Sequence, residues 1–309
     1  MLCAVSIDID ELSLYFDIHG LPRPEGGAHG AYDRALPRAA AFAEWRKIPL
    51  TLFAVGNDLG REENARALSV LAEKGHAVEN HSRAHRYDLT RLDPAAIAEE
   101  IEGGARAIER VTGRRPAGFR APGYTVNEAV FDALEAIGVD YDSSVFPCPA
   151  YYLAKAAAIV GMRLFGRTSR SVLDTPRVLG APRRAYWPGE AWYRAAGGRR
   201  RRFLELPIQV TPGLRLPFIG TLLGLLGDRG AAALARQCVG EPLVNLELHA
   251  IDFLDASEGA EALLGHQQEL RVPVQDRLDA IAAALDVFAR AGYAFVRLDE
   301  AAQGVKTIP

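Results

Sequence analysis

Six side chains in this sequence could do chemistry together: Asp8, Asp10, His81, His85, Arg120 and His249. His81 and His85 stand four apart. Two imidazoles at that spacing point the same way if they share a helical turn. Two neutral imidazoles are half of a divalent transition-metal site. Alone, such a pair is common on helix surfaces. A third ligand, a base and an acid would turn it into a centre. Asp8 and Asp10 are two apart, so both face the same side of a regular strand. One can bind a metal while the other takes a proton from water, because the metal separates the roles of two close carboxylates. One carboxylate with two imidazoles leaves a position open for water, as in catalytic rather than structural zinc sites. Arg120 can hold the base carboxylate ionised and oriented. His249 can protonate a leaving amine.

These residues need elements that bring them to one place. Residues 2–9 are a short apolar run with Val and Ile, read as a first strand ending in Asp8-Ile9-Asp10. Further strands are expected at 49–55, 76–80, 118–120, 139–142, 203–210, 243–249 and 293–298. Helices are expected at 33–46, 62–74, 93–112, 127–137, 228–238 and 274–291, several closed by Gly. Residues 11–32 read as a loop, with Gly20, Pro22, Pro24, Gly26, Gly27 and Gly30. Strands alternating with helices imply a parallel sheet, either a barrel or a doubly wound sheet. In a parallel barrel the strand ends converge on one face, which is where the six candidate residues fall.

Residues 147–202 break the alternation. They hold Pro147, Pro149, Pro176, Pro182 and Pro188, the aromatics Tyr186, Trp187 and Trp192, and a run from Arg199 to Arg202. The stretch reads as an insertion or lid. The tryptophans read as lid core or as platforms for sugar rings. The arginine run reads as a solvated turn, or more sharply as a phosphate contact.

Composition sets the remaining bounds. The chain has 309 residues, 49% hydrophobic and 24% charged, enough for a sizeable core. A net charge of −3 gives no electrostatic case for nucleic acid. Cys3, Cys148 and Cys238 are odd in number and far apart. They form neither a disulfide framework nor a metal knuckle and suggest a reducing compartment. The start shows no basic leader, so a cytoplasmic protein is expected. No stretch reaches the ~18 apolar residues of a spanning helix. Residues 150–165 and 216–227 come partway. Either could lie on a membrane surface, and core or lid packing is the favoured reading. His19, His29, His76 and His266 read as surface or loop residues.

Five strings in order carry a resemblance: Ser6-Ile7-Asp8-Ile9-Asp10, His81-Ser82-Arg83-Ala84-His85, Phe119-Arg120-Ala121-Pro122-Gly123-Tyr124, Tyr141-Asp142-Ser143-Ser144 and Leu248-His249. They resemble motifs of the polysaccharide deacetylases, which include chitin-oligosaccharide and peptidoglycan deacetylases. The resemblance covers about residues 3–146 and 203–300. It implies an α/β fold, a distorted, incomplete (β/α) barrel of mostly parallel strands, fewer than eight in number, with an inserted lid region. It implies one catalytic domain over 1–309, with the insertion at about 147–202.

By the same resemblance the activity is metal-dependent hydrolysis of an N-acyl group, acetyl or formyl, on an amino sugar that is lipid-linked or part of a glycan. Asp8 is then the general base. Asp10, His81 and His85 bind one divalent metal, usually zinc. Arg120 orients Asp8, and His249 is the general acid. Pro122, Gly123, Tyr124 and Asp252 are expected on the substrate side, with the Tyr124 backbone N–H at an oxyanion site. The family's Asp-x-Trp pair is missing from residues 204–208, leaving Glu205 or Asp252 to tune His249. The insertion and the two apolar stretches add an expected contact with the inner membrane face. Two rivals remain: hydrolysis of a small-molecule C–N bond, as in allantoinase- or imidase-like relatives, and a catalytically idle carbohydrate-binding domain.

Overall fold

The computed structural model describes residues 1–23, 29–164, 172–173 and 175–306. The chain centres on β1 (Leu2–Ile9), seven of whose eight residues are buried. Its alternation sorts them. Cys3, Val5, Ile7 and Ile9 join the large core beneath the helices. Ala4 joins the inner cluster with Phe53, Tyr141 and Leu204. Ser6 and Asp8 are buried on that same inner side, where period-2 geometry puts them.

The sheet grows from β1 through β2 (Thr51–Ala54), β3 (Ala77–Asn80), β4 (Gly118–Phe119), β5 (Tyr141–Asp142) and β6 (Leu204–Glu205). On the other side β1 pairs with β7 (Leu243–His249), and every one of these ladders is parallel. β8 (Ala294–Val296) lies beside Leu2–Ala4, below the start of β2. Among the described residues the sheet has eight strands, seven of them in one path, where fewer than eight were expected. It curls into a half-barrel that does not close as a ladder. Between β6 and β7 the gap is spanned by irregular chain. Gln209 N–H donates to the Asn245 carbonyl at 3.0 Å, and Asn245 Nδ2 donates to the Leu206 carbonyl at 3.0 Å. The expected distorted, incomplete (β/α) barrel of parallel strands is the observed fold.

The later strands are short, and the sheet is crowded where they pair. A Cβ at Gly118 would lie 2.1 Å from the Tyr141 ring, so only glycine lets β4 and β5 pair there.

Helices follow most strands, close to the expected ranges: α2 (Leu36–Arg46), α3 (Glu62–Glu73), α4 (Pro94–Thr112) and α5 (Glu128–Ile137), preceded by α1 (Leu12–His19). α1 corrects the loop expected at 11–32. Leu12, Tyr15 and Phe16 bury one face, and Gly20 closes the helix at φ 63°. Pro24, Gly26 and Gly27 fall outside the described residues. α6 (Pro149–Leu164) follows β5. α7 (Gly220–Cys238) starts eight residues before the expected helix and kinks at Gly227. α8 (Val274–Arg290) matches its expectation. The sequence reading lacked α9 (Leu298–Lys306).

Among the described residues, the stretch 147–202 has two parts, and α6 is the one over the strand ends. The later part returns to the sheet edge, where Tyr186 exchanges backbone hydrogen bonds with Glu205 at 3.0 and 2.8 Å. Trp192 is buried against Phe131 rather than in a lid. This half covers the free edge of β6. Arg199, Arg200 and Arg202 are exposed, as a solvated turn would be, with Arg200 stacked over Trp187, while Arg201 is buried and pairs with Asp132 at 2.7 Å. Among the described residues no helix is long and apolar enough to cross a membrane. The three cysteines are free and buried.

Candidate active site

Arg120, just past β4, forms the floor. It is fully buried and stacked over the Phe53 ring at 4.1 Å. Its Nη1 donates to Asp8 Oδ1 at 2.6 Å. Its Nη2 donates to Ser6 Oγ and Ser143 Oγ, and its Nε to the Ser143 carbonyl, all at 2.9 Å. The guanidinium thus has one orientation and uses it on one carboxylate oxygen. The other oxygen, Oδ2, faces His81 Nε2 at 3.7 Å.

Asp10 Oδ1 lies 3.4 Å from His81 Nε2 and 3.1 Å from His85 Nε2. The ligating atoms of these three buried residues all lie within 4.8 Å of one another. Burial works against the Asp10 carboxylate, yet His85 and His81 beside it hold it well below the usual carboxylate range. His81 Nδ1 is 2.7 Å from the Arg120 carbonyl, so it is the protonated nitrogen and Nε2 keeps its lone pair. Asp10 Oδ1 and both ring nitrogens of His85 are buried without a hydrogen-bond partner. Buried polar atoms are rarely left so. Two imidazoles and a carboxylate with free lone pairs are a donor set for a borderline divalent ion, and the site fits zinc.

The two histidines do not share a helical turn, as their spacing suggested. They sit in the loop after β3, with Ser82 at φ 65° and His85 at φ 51°. Among the described residues, five non-glycine residues have positive φ, and Ser82, His85 and Tyr124 all belong to this site. Such strain persists only where surrounding contacts enforce it. Here Arg83 N–H donates to the Glu100 carbonyl at 2.8 Å, and Ala84 N–H to the Glu100 carboxylate at 3.0 Å. Gly103 and Gly104 of α4 let the loop come close. A Cβ on Gly104 would meet the Asn80 side chain at 2.2 Å and the Ser82 backbone at 2.7 Å.

His249 ends β7 in register with Asp8. Its Nδ1 lies 3.0 Å from Glu247 Oε1. Tyr124 Oη donates to the same oxygen at 2.8 Å and lies 3.3 Å from His249 Nε2. Burial opposes a charge on His249. Glu247, with Asp8, Asp10 and Asp252 behind it, outweighs burial and raises the ring to about 9. Asp8, Glu247 and His249 form a second group of close donor atoms. Within this group Arg120 binds Asp8 and Tyr124 binds Glu247.

Other expectations change. Glu205 does not reach His249: its Oε1 accepts from Val145 N–H, and its carboxyl bonds with Asp142. Asp252 accepts from the His249 backbone N–H at 2.9 Å, not from the ring, and sits behind the cavity wall under Gly220. Pro122 is buried and turned away, with its carbonyl accepting from Thr125 Oγ1. The Tyr124 backbone N–H donates to the Ala121 carbonyl at 3.0 Å, so it does not serve an oxyanion. Gly123 and the Tyr124 side chain do line the cavity. His76 accepts from Leu50 N–H at 3.0 Å. His19 stacks on His266 at 4.5 Å, and burial and then His266 lower it to about 4. Glu247, Glu100 and Ser143 are residues the sequence reading missed.

The cavity holds about 370 Å3 over the candidate residues Asp8, Asp10, His81 and His249. Tyr15, Tyr87 and Tyr151 supply aromatic walls, and Lys155 and Ile159 of α6 close one side.

Residues 25–141 match the family described as polysaccharide deacetylase, a span holding His81, His85 and Arg120. A peptidoglycan deacetylase-like protein of Gibberella zeae is 34% identical over 85 residues, 27% of this chain and 25% of that protein. The match thus spans a quarter of that curated relative's length. A Mycobacterium smegmatis structure assigned as a polysaccharide deacetylase superposes with TM-score 0.58 at 19% identity, covering 98% of this chain and 90% of that one. The Puue allantoinase gives TM-score 0.57 at 15% identity, covering 98% and 89%. The polysaccharide deacetylase family, which the motifs resemble, thus matches this chain over residues 25–141.

Proposed function

We propose that this protein hydrolyses the N-acyl group, acetyl or formyl, of an amino sugar in a glycan or on a lipid carrier. The observation that supports it most is the Asp10, His81 and His85 cluster, with Asp10 Oδ1 and the His85 ring nitrogens buried and unpartnered beside the arginine-held Asp8. Asp10, His81 and His85 would hold one zinc ion, which supplies Lewis acidity to the acyl carbonyl and to water. Asp8 takes the proton of the attacking water on Oδ2, because Oδ1 is tied to Arg120. His249, protonated at neutral pH, gives a proton to the departing nitrogen as the C–N bond breaks. Glu247 and Tyr124 hold that ring in place. The products are a carboxylic acid and a free amine.

The aromatic walls support a sugar ring in the cavity. The test is acetate or formate release from N-acyl amino sugars by zinc-loaded protein, with Asp8→Asn as comparison. Release that Asp8→Asn matches would overturn the reading. A small-molecule C–N substrate is the second reading, supported by the modest cavity volume of about 370 Å3. Turnover of cyclic ureides without any release from amino sugars would favour it.

A further inference from the structure

α6 packs one side, through Tyr151 and Tyr152, and leaves the other open. Of its 16 residues only Ile159 is buried. Its inner side, with Tyr151, Lys155 and Ile159, lines the reaction cavity. Its outer side is apolar. Leu153, Val160 and Leu164 are 71%, 54% and 80% exposed. They stand at i, i+7 and i+11, within about 40° of one another around the helix. Isolated exposed leucines need no explanation, but an aligned stripe on one helix marks an interaction surface.

The charges beside the stripe decide what covers it. α6 contains Lys155 and Arg163 and no carboxylate. Next to it opens a cavity of about 780 Å3 lined by Arg23, Arg86, Arg91 and Arg163 against only Asp17 and Asp88. Ile159 and Tyr87 form the wall this cavity shares with the reaction cavity. Asp17 and Asp88 are already paired with Arg23 and Arg86, so a second copy docked through the same face would set Arg91 and Arg163 against their own images. Anionic lipid headgroups answer them directly, while the stripe enters the acyl boundary. At about 24 Å the helix is too short to span a bilayer but long enough to lie in its surface.

We infer that α6 is a membrane-docking helix, which seats the protein on an anionic lipid surface through Leu153, Val160 and Leu164 with the arginine-lined cavity at headgroup level. Joined to the hydrolase reading, this opens the reaction cavity toward substrates carried in the membrane. Binding itself needs no turnover, so the two proposals fail separately.

The experiment is co-sedimentation of the full chain with phosphatidylglycerol–phosphatidylcholine vesicles and with pure phosphatidylcholine vesicles. The protein should sediment with the first and release with added salt. The triple variant Leu153→Ser, Val160→Ser, Leu164→Ser should bind about tenfold or more weakly. Leu214→Ser, at an 80% exposed leucine outside α6, should bind like the wild type. Thermal melts check that both variants fold. Absence of sedimentation with anionic vesicles overturns the inference, as does full binding by the triple variant. A dimer that the triple variant abolishes, without vesicle binding, assigns the stripe to a second copy instead.

Discussion

Arg120 Nη1 donates to Asp8 Oδ1 at 2.6 Å, joining two buried residues 112 positions apart at the base of the cavity. Removing one partner of a buried ion pair leaves the other uncompensated, at a cost of about 3–5 kcal/mol. Arg120→Met should therefore lower the melting temperature as well as abolish turnover. Arg120→Lys keeps the charge but loses the contacts to Ser6 and Ser143. A misplaced base costs about 100-fold, so kcat should drop by that order in a fold that melts near the wild type. Steady-state kinetics with calorimetry separates the two. Equal kcat in Arg120→Lys would show that orientation of Asp8 is unimportant.

Glu247 sets the alkaline limit. His249 is raised to about 9, so its protonated form is present at neutral pH and is lost as pH rises through that value. Glu247 contributes the largest raising influence. In Glu247→Gln the alkaline limb of the kcat/KM profile should move to lower pH. An unmoved limb would assign the raised ring to other groups.

Gly104 sets the position of the histidine loop. An alanine there places its Cβ 2.2 Å from Asn80 Oδ1 and 2.7 Å from the Ser82 backbone. Overpacking of this kind costs about 1–3 kcal/mol. Gly104→Ala should lose that much stability in urea and bind zinc more weakly by titration, though it touches no candidate ligand. Unchanged zinc affinity would mean the loop position is set elsewhere.

Asp142 and Glu205 are buried together, and each is raised, Glu205 well above its ordinary value, chiefly by burial. A raised carboxyl contributes stability that is present below its unfolded pKa and lost as pH rises through its folded value. Wild-type melting temperature should fall from acidic toward alkaline pH. Glu205→Gln, which carries no titrating group, should flatten that slope. A slope unchanged in the variant would place the effect on other buried carboxyls.

Much of this was legible in the sequence. The alternation of apolar runs with helical periods gave a parallel sheet, barrel or doubly wound, the resemblance implied the incomplete barrel, and Asp8, His81, Arg120 and His249 all fell at strand ends. Glu247 was also legible and was overlooked. Leu246 and Leu248 alternate with Glu247 and His249, and period-2 geometry puts the carboxylate on the histidine's face. The conformation of the His81–His85 loop was not legible. Their spacing fits a helical turn, while Ser82 and His85 adopt left-handed backbone through contacts with α4 that are remote in sequence. α1 was hidden because its eight residues run into a stretch rich in Gly and Pro. The division of residues 147–202 depends on which half finds a sheet edge to cover, a tertiary fact that composition does not encode.

The most direct measurement is metal content together with acyl release, on wild type and on His85→Ala. Wild type should carry about one divalent ion per chain and release acetate or formate from an N-acyl amino sugar. His85→Ala should lose the ion and the hydrolysis together. Full hydrolysis by chelated, metal-free wild type, or by metal-free His85→Ala, would contradict the proposed centre.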